Sequence, residues 1–594
     1  MRHRALLVLA IFFLSTPLLC QTRGGGGGGH ASNPGTSSSH SSPYAGPAPT
    51  KSTLSPVSLG SANDEGKIEF RTQSILVQVP VIVTDKNGSH IHGLTKGDLH
   101  VFENGKEQAV SVFEEKFAST SKFTAGAGQP GEFRNLTISE DQPRTVTVIA
   151  LDTVNTPFLD QTYGRRELVK YLANSLDSGQ VLALMIITSH GLRVIQGLTG
   201  DPEQLVQILK KVGGELPAMQ SVDIDVQADV AAGDAPDMPT PISPGTDPTA
   251  AMEEFVEHGD AVFAQFQQQN AIETTLNGFM GIAWTLSGLP GRKSVIWATG
   301  GFPFTIAEPA TVPGGYLSAL YERTMQALLQ AQVSVYPVDV RGLVNSSPLT
   351  EGSRSRAPST QTFANRAWLQ QDTLATLNQF AEMTGGKAFY NTNDLATSFK
   401  RAADDASSYY LLGYYLDTHN NHAGWRSLKV KVDKKDTEVR ARKGFFVTNA
   451  TLHMDLTRST DLNFALTSPL EGTGVPVTVK WLKVSGDGAS RKAAFLVELP
   501  FNALGLDPTG QNKVNFDFAA AAYPLNSKDG KPATTLGKSF APSLTDAQAA
   551  EVRAKGVSFS YALDLAPGQY SVRFVVRDNV NGKVGSVTAP LTVN

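Results

Sequence analysis

Between residues 144 and 406, short runs made almost wholly of apolar residues alternate with stretches of helical period, and this alternation restricts the fold more than any other feature of the chain. Val146 to Leu151 is such a run and closes in Asp152; Val181 to Ile187, Ser294 to Ala298 and Val333 to Val340 repeat the form. Strands so poor in polar residues must be covered on both faces, and strands of that kind belong to sheets connected by helices. Helices are expected over 161–176, 202–212, 260–287, 315–332, 367–384 and 395–406, with a shorter strand over 192–198. The expected fold is α/β, a doubly wound, Rossmann-like, mostly parallel sheet whose ligand sites lie at the carboxyl ends of its strands.

The flanks follow a different period. Ile75, Val77, Val79, Val81 and Val83 alternate along a half-buried strand, Pro80 places that strand at a sheet edge, and Asn87-Gly88 and Asn104-Gly105 signal hairpin turns. Residues 65–120 are therefore expected to form a small β unit, and 118–142 a linker. Residues 407–450 predict a β meander, and 451–594 a β-sandwich of about seven strands interrupted by a short helix over 545–555. Within the central region, 213–259 reads as an acidic insertion carrying Asp223, Asp225, Asp229, Asp234, Asp237 and Asp247. It lacks the glycine and closing glutamate of a calcium loop, which favours a solvated acidic segment.

Arg2 and Arg4, the apolar run Ala5 to Leu14, and then Ser15, Thr16 and Pro17 have the form of a secretory signal, so 1–20 is expected to be removed on export. The mature chain would then be periplasmic, outer-surface or secreted. Lipid anchoring at Cys20 is the weaker alternative, because bulky Leu19 precedes it. No later segment is apolar enough for a membrane helix. Residues 21–64, with six consecutive glycines followed by Ser, Pro, Thr and Ala, are expected to form a flexible tether. Cys20 is the one cysteine of the 594 residues, which excludes intrachain disulfides and cysteine-ligated metals. With 51 basic and 55 acidic side chains, no global positive field recommends a nucleic-acid partner.

No motif for catalysis stands out. Gly288-Leu289-Pro290-Gly291-Arg292-Lys293-Ser294 has the wrong spacing for a phosphate loop and leads into a strand instead of out of one. The cations of Leu428 to Val432 and Val439 to Arg442 alternate with apolar residues, as a sheet with one solvated face requires. The chemistry that remains lies at the strand ends: Asp152 with Thr153, Asn155 and Thr156 on one loop, and Thr199 before the Asp201-Pro202 helix start. Oxygen ligands gathered from separate loops suit a hard cation such as Mg²⁺.

A strand ending in Asp152, Thr199 on a second segment, Lys293-Ser294-Val295-Ile296-Trp297 leading to Thr299-Gly300-Gly301, and Thr384-Gly385-Gly386-Lys387-Ala388-Phe389 together resemble a von Willebrand factor A domain. More narrowly, residues 68–447 resemble the VWFA-related domain family abundant in Acidobacteria. The pieces that carry the likeness are Val83 to Gly88, Gly93 to Asp98, Phe102 to Lys106, Tyr409 to Tyr415 and Val439 to Phe446. The resemblance implies a metal-ion-dependent adhesion site holding Mg²⁺ or Mn²⁺. Asp152 matches its leading Asp, Thr156 its second Ser and Thr199 its Thr. Val154 stands where the first Ser belongs and Thr299 where the last Asp belongs, so the site is degenerate, with Asn155 a candidate substitute. The implied function is an exported, non-enzymatic protein-interaction or adhesion protein that takes an unidentified protein partner. Two alternatives are an envelope component that binds through its C-terminal sandwich, and a hydrolase built around Asp339 or around His419 and His422.

Overall fold

In a computed structural model the described residues are 76–117, 131–135, 146–174, 180–212, 248–302, 316–343, 373–405, 407–416, 424–447, 450–486, 489–500, 504–505, 514–527 and 530–594. The signal, the tether, His419, His422 and residues 213–247 of the acidic insertion lie outside them. The first strands are β1 (Leu76–Asp85), β2 (Leu99–Glu103), β3 (Lys106–Gln108), β4 (Val112–Phe117) and β5 (Glu132–Arg134). The central region follows with β6 (Val146–Asp152), α1 (Phe158–Ala173), β7 (Val181–Thr188), β8 (Gly191–Thr199), α2 (Pro202–Leu209) and α3 (Pro248–Leu286). It continues through β9 (Lys293–Thr299), α4 (Tyr316–Gln330), β10 (Val333–Asp339), a helix over 373–384 (α5) and α6 (Leu395–Asp404). After it come β11 (Ser408–Tyr415), β12 (Gly424–Val432), β13 (Thr437–Ala441), β14 (Gly444–Val447) and α7 (Ala450–Thr467). The chain closes with β15 (Thr478–Ser485), β16 (Arg491–Leu499), β17 (Phe516–Pro524), β18 (Thr534–Phe540), α8 (Asp546–Lys555), β19 (Val557–Leu565), β20 (Gly568–Asp578) and β21 (Val584–Val593).

The central sheet has the order β10-β9-β6-β7-β8. Its first four strands are parallel, and a parallel bridge from Val338 to Phe389 extends it past β10. β8 is antiparallel, because only Ser189 and His190 separate it from β7, too few residues for a crossover. The alternating side chains of β6 divide between two cores. Val146, Val148 and Ala150 pack against α3, α4 and α5, while Ile149 and Leu151 face α1, α2 and α6. The result is a mixed α/β layer with helices on both faces.

The segments before and after this layer are one body. Sheets β13-β1-β11-β4 and β14-β12-β2-β3 close over a shared core of Val79, Val81, Val101, Tyr410, Leu412, Tyr414 and Leu428, so the α/β layer is an insertion into a β structure begun at β1 and finished at β14. β1 is an interior strand and not the edge Pro80 suggested. Pro80 pairs with Leu411 on one side, and β13 takes up β1 on the other side only from Val81 onward, so the missing N–H is not needed. The expected linker also contains structure: β5 adds as an edge strand to β15 of the C-terminal body, whose sheets are β19-β16-β15-β5 and β18-β17-β20-β21. That body opens with α7, where strands alone were expected. α7 rests on Ala519, Ala521 and Val575 of the outer sheet face and presents Phe464 edge-on to Trp284 of α3.

Candidate functional site

The carboxyl edge of the central sheet is where the expected ligand set belongs, and Asp152 at the end of β6 is its centre. The Asp152 carboxylate is buried and ringed by donors. Oδ1 accepts from the backbone N–H of Val154 and Asn155, both at 3.0 Å; Oδ2 accepts from Asn155 Nδ2 at 2.8 Å and Trp297 Nε1 at 3.0 Å, with Thr299 Oγ1 at 2.9 Å. The Thr299 hydroxyl also lies 2.7 Å from the Gly301 carbonyl, and its single hydrogen serves one of the two acceptors. Burial pushes the Asp152 carboxyl above its ordinary range, and the hydrogen bonds from Asn155, Thr299 and Trp297 offset this in part.

The neighbouring groups are also committed to the protein, except Asn155 Oδ1, which is buried and has no hydrogen-bond partner among the described residues. Thr156 is buried and its Oγ1 accepts from Gly300 N at 2.8 Å. Thr153 donates to Ile187 O, and the Gln161 amide donates to the carbonyls of Thr153 and Thr156. Asn155 spans from Asp152 to Thr275 Oγ1 on α3 at 2.9 Å. Val154, at the position of the first Ser, is apolar filling against Ile187 and Ala271.

Thr199 is not part of this cluster. It pairs with Leu182 at the start of β7, whereas Asp152 is level with Ile187 five residues further on, a separation of about 16 Å along the strand. The antiparallel turn of β8 carries Thr199 to the amino edge. There its Oγ1 accepts from Asp201 N and contacts Gln204, and the Asp201 carboxylate caps α2. Asp152, Thr156 and Asn155 are thus brought together and Thr199 is removed from them.

The remaining residues do not fit Mg²⁺ or Mn²⁺. A cation needs free lone pairs, and those of Asp152 face N–H groups of Val154, Asn155 and Trp297, which repel one. At Gly300 the two loops are in close contact: a Cβ there would come within 2.8 Å of Pro157 Cδ and 3.0 Å of Asn155 O. Among the described residues no group of three or more His, Asp, Glu or Cys side chains could hold a metal. Where such a site would have metal–oxygen bonds, this one has direct hydrogen bonds between two loops. Trp297 and Thr275 are the partners the sequence reading missed; only the alternation of β9, which places Trp297 beside Ala150, pointed to the former.

The same edge carries apolar side chains in solvent. Leu159 is 80% and Leu343 58% exposed, with Phe158 and Tyr390 also partly open. Asn393 organises them, accepting from Tyr163 Oη through its carbonyl at 2.6 Å and from Leu343 N through Oδ1 at 3.0 Å. Below lies Asp339, buried and held by Arg341 through Nε at 2.9 Å and Nη2 at 2.7 Å. Burial pushes the nearby Asp160 carboxyl upward, partly countered by Arg341.

No protein-family model matches the chain, and no curated protein matches it. Among solved structures, the chain is similar to one titled "Crystal Structure of the SpRpn10 VWA domain", at 13% identity over 32% of this chain and 88% of that one, with a TM-score of 0.14. A likeness of that size carries no argument, and the fold and site stand on the topology and contacts given above. Among the described residues no helix is long and apolar enough to cross a membrane.

Proposed function

We propose that this is an exported, non-enzymatic interaction protein, a member of the VWFA-related group, whose von Willebrand A-like layer binds a protein partner at its carboxyl edge without metal. The observation that carries this is the pairing of a closed Asp152 network with an apolar rim. Asp152 and Thr156 are too buried to touch a partner, and Leu159 and Leu343 are exposed beside them. Soluble proteins seldom leave large apolar side chains clustered in solvent unless something docks there. The resemblance to adhesion domains supports the choice of edge, and the donor ring around Asp152 argues against a bridging cation.

Capture of envelope proteins by the full chain tests this. Binding should survive chelator and Thr199→Ala, and fall sharply in a Leu159→Ser/Leu343→Ser variant. Loss of capture in chelator would restore the metal site and sink the proposal.

One observation favours the envelope-component alternative: β5 covers only Thr478 to Lys480 of β15, and beyond it Leu482, 57% exposed at a bulge, and Val484 lie on an edge that no described strand covers. A Leu482→Lys change that abolishes capture while the rim variant does not would move the interface there.

A further inference from the structure

Two histidines of the β structure are free of the commitments that close the Asp152 network. His90 and His92 flank Ile91 on the segment that returns along β1, where His90 bridges to Thr84 and Ile91 N–H donates to Val83 O at 2.9 Å. Just beyond them Leu94 N–H donates to the Tyr410 hydroxyl at 3.1 Å, so the backbone carrying both rings is held on each side. Alternation along the segment places the two imidazoles on one side of it, with centroids 6.3 Å apart and planes 13° from parallel. Glu115 of β4 lies with Oε1 3.0 Å from His92 Nδ1, and the same carboxylate accepts from Gly93 N. A carboxylate only accepts, so Nδ1 carries the proton and the neutral ring keeps its lone pair at Nε2. Among the described residues nothing bonds to Nε2 of His92 or to either ring nitrogen of His90. The His92 side chain is 51% exposed and His90 is half-buried, so both rings can be reached from solvent. His100 differs, because Glu107 and Asp433 occupy its two nitrogens at 2.7 and 3.2 Å.

We propose that His90 and His92 bind one divalent transition-metal ion, with Glu115 as the carboxylate that orients His92. An ion held through two nitrogens at about 2 Å each joins imidazoles whose centroids lie up to roughly 6.5 Å apart. Imidazole selects Cu²⁺, Ni²⁺ and Zn²⁺ over Mg²⁺ or Ca²⁺, and Cu²⁺ heads that series. A carboxylate on the second ring nitrogen fixes the tautomer of a metal-bound histidine and raises its basicity. The described residues supply no third ligand: Asp405, whose charge acts on His90, is taken by Arg440 and Tyr336, and no group of three His, Asp, Glu or Cys could hold a metal. Water therefore fills the other positions and leaves them open to exchange. Arg292 and Arg440 also act on His90 and oppose an added cation, so the ion that holds imidazole most tightly, Cu²⁺, is the one this pair retains best. The pair belongs to the β structure and not to the apolar rim, so the inference goes beyond the partner-binding reading and is independent of it.

The test titrates the full chain with Cu²⁺, and separately with Zn²⁺, in millimolar Mg²⁺, followed by calorimetry and, for Cu²⁺, by electron paramagnetic resonance. The readout is a difference between variants, because histidines elsewhere in the chain, such as His3, also bind these ions. His90→Gln and His92→Ala should each lower the copper stoichiometry by about one equivalent, and the lost signal should carry two imidazole nitrogens. His92 is exposed, so its substitution gives a reading even where His90→Gln disturbs folding. Glu115→Gln should keep the equivalent and bind it about tenfold or more weakly. His100→Ala, which removes a ring already engaged on both sides, should change nothing. Unchanged stoichiometry in His92→Ala, or a lost signal with a single imidazole nitrogen, overturns the proposal, and neither result bears on capture of a partner at the rim.

Discussion

At the scale of single residues, Asp152 and Lys293 show how a buried ionisable group is held in place by hydrogen bonds. Asp152 gathers two backbone amides, an indole, an amide side chain and a hydroxyl within 3.0 Å. Asp152→Ala would strand these donors in the interior, and the expected loss is about 3 kcal/mol or more of unfolding free energy by urea titration. The wild type should unfold at the same denaturant midpoint in millimolar Mg²⁺ and in chelator, whereas a cation at 100 times its dissociation constant would add about 2.7 kcal/mol. Lys293 is buried at the start of β9 with its ammonium donated to Leu289 O at 2.8 Å, and burial pushes its pKa down to about 7. Because the folded value lies below the unfolded one, the unfolded chain binds the extra proton between about pH 7 and 10.5. The contribution of Lys293 to stability is therefore greatest above that window and is lost as pH falls through it, by roughly 4 kcal/mol. Lys293→Met should flatten this slope, and urea midpoints at pH 7, 8.5 and 10 would show it.

Elements were legible from the sequence where their pattern was local. The apolar runs marked β6, β7, β9 and β10 because a strand covered on both faces has no other way to be written. The Asp201-Pro202 pair marked the start of α2 because the cap is a local hydrogen bond. The direction of β8 was not extracted, although the short turn before it implied it, and that omission placed Thr199 at the wrong edge. The helical spacing of Leu462, Ala465 and Leu466 in α7, and of Met252, Phe255 and Val256 at the early start of α3, was likewise present and not extracted. β5 has only three residues and no pattern; its place depends on β15, more than 300 residues away. Asn135 beside it is buried, donating to the carbonyls of Gly472 and Val475 and accepting from Val477 N at 2.8 Å. Asn135→Leu leaves those groups unpaired, so a cost of about 2 kcal/mol and faster amide exchange along β15 are expected.

At the scale of the whole molecule, charge clusters tie the three bodies together beside apolar contacts such as Phe464 against Trp284. Asp461 of α7 accepts from Arg323 of α4 at 2.6 Å and from buried Arg577 of β20 at 2.9 Å, joining the C-terminal body to the α/β layer. Asp405, just after α6, holds Arg440 of β13 in a double hydrogen bond and accepts from Tyr336 of β10 at 2.7 Å, joining that layer to the β structure around it. Burial pushes the Asp405 carboxyl up, but Arg440 and Arg292 outweigh it and hold it below the usual carboxylate range. Asp461→Ala should cost about 3–5 kcal/mol by leaving Arg577 buried without its carboxylate. Calorimetry should then resolve a separate transition for residues 450–594, and a single unchanged transition would show that the ion cluster does not couple the bodies.

The placement of β5 also bears on how the chain is made. Asn135 leaves the ribosome 342 residues before Val477, the group it must meet, and β1 waits almost as long for β11. An amino-terminal fragment therefore emerges with two sets of unpaired backbone and no means of satisfying either, so completion is deferred to the last quarter of synthesis. Such a product depends on being kept apart from its copies until the carboxyl terminus arrives. A shortened gene product would keep its acceptor edge open, and a neighbouring chain could fill it.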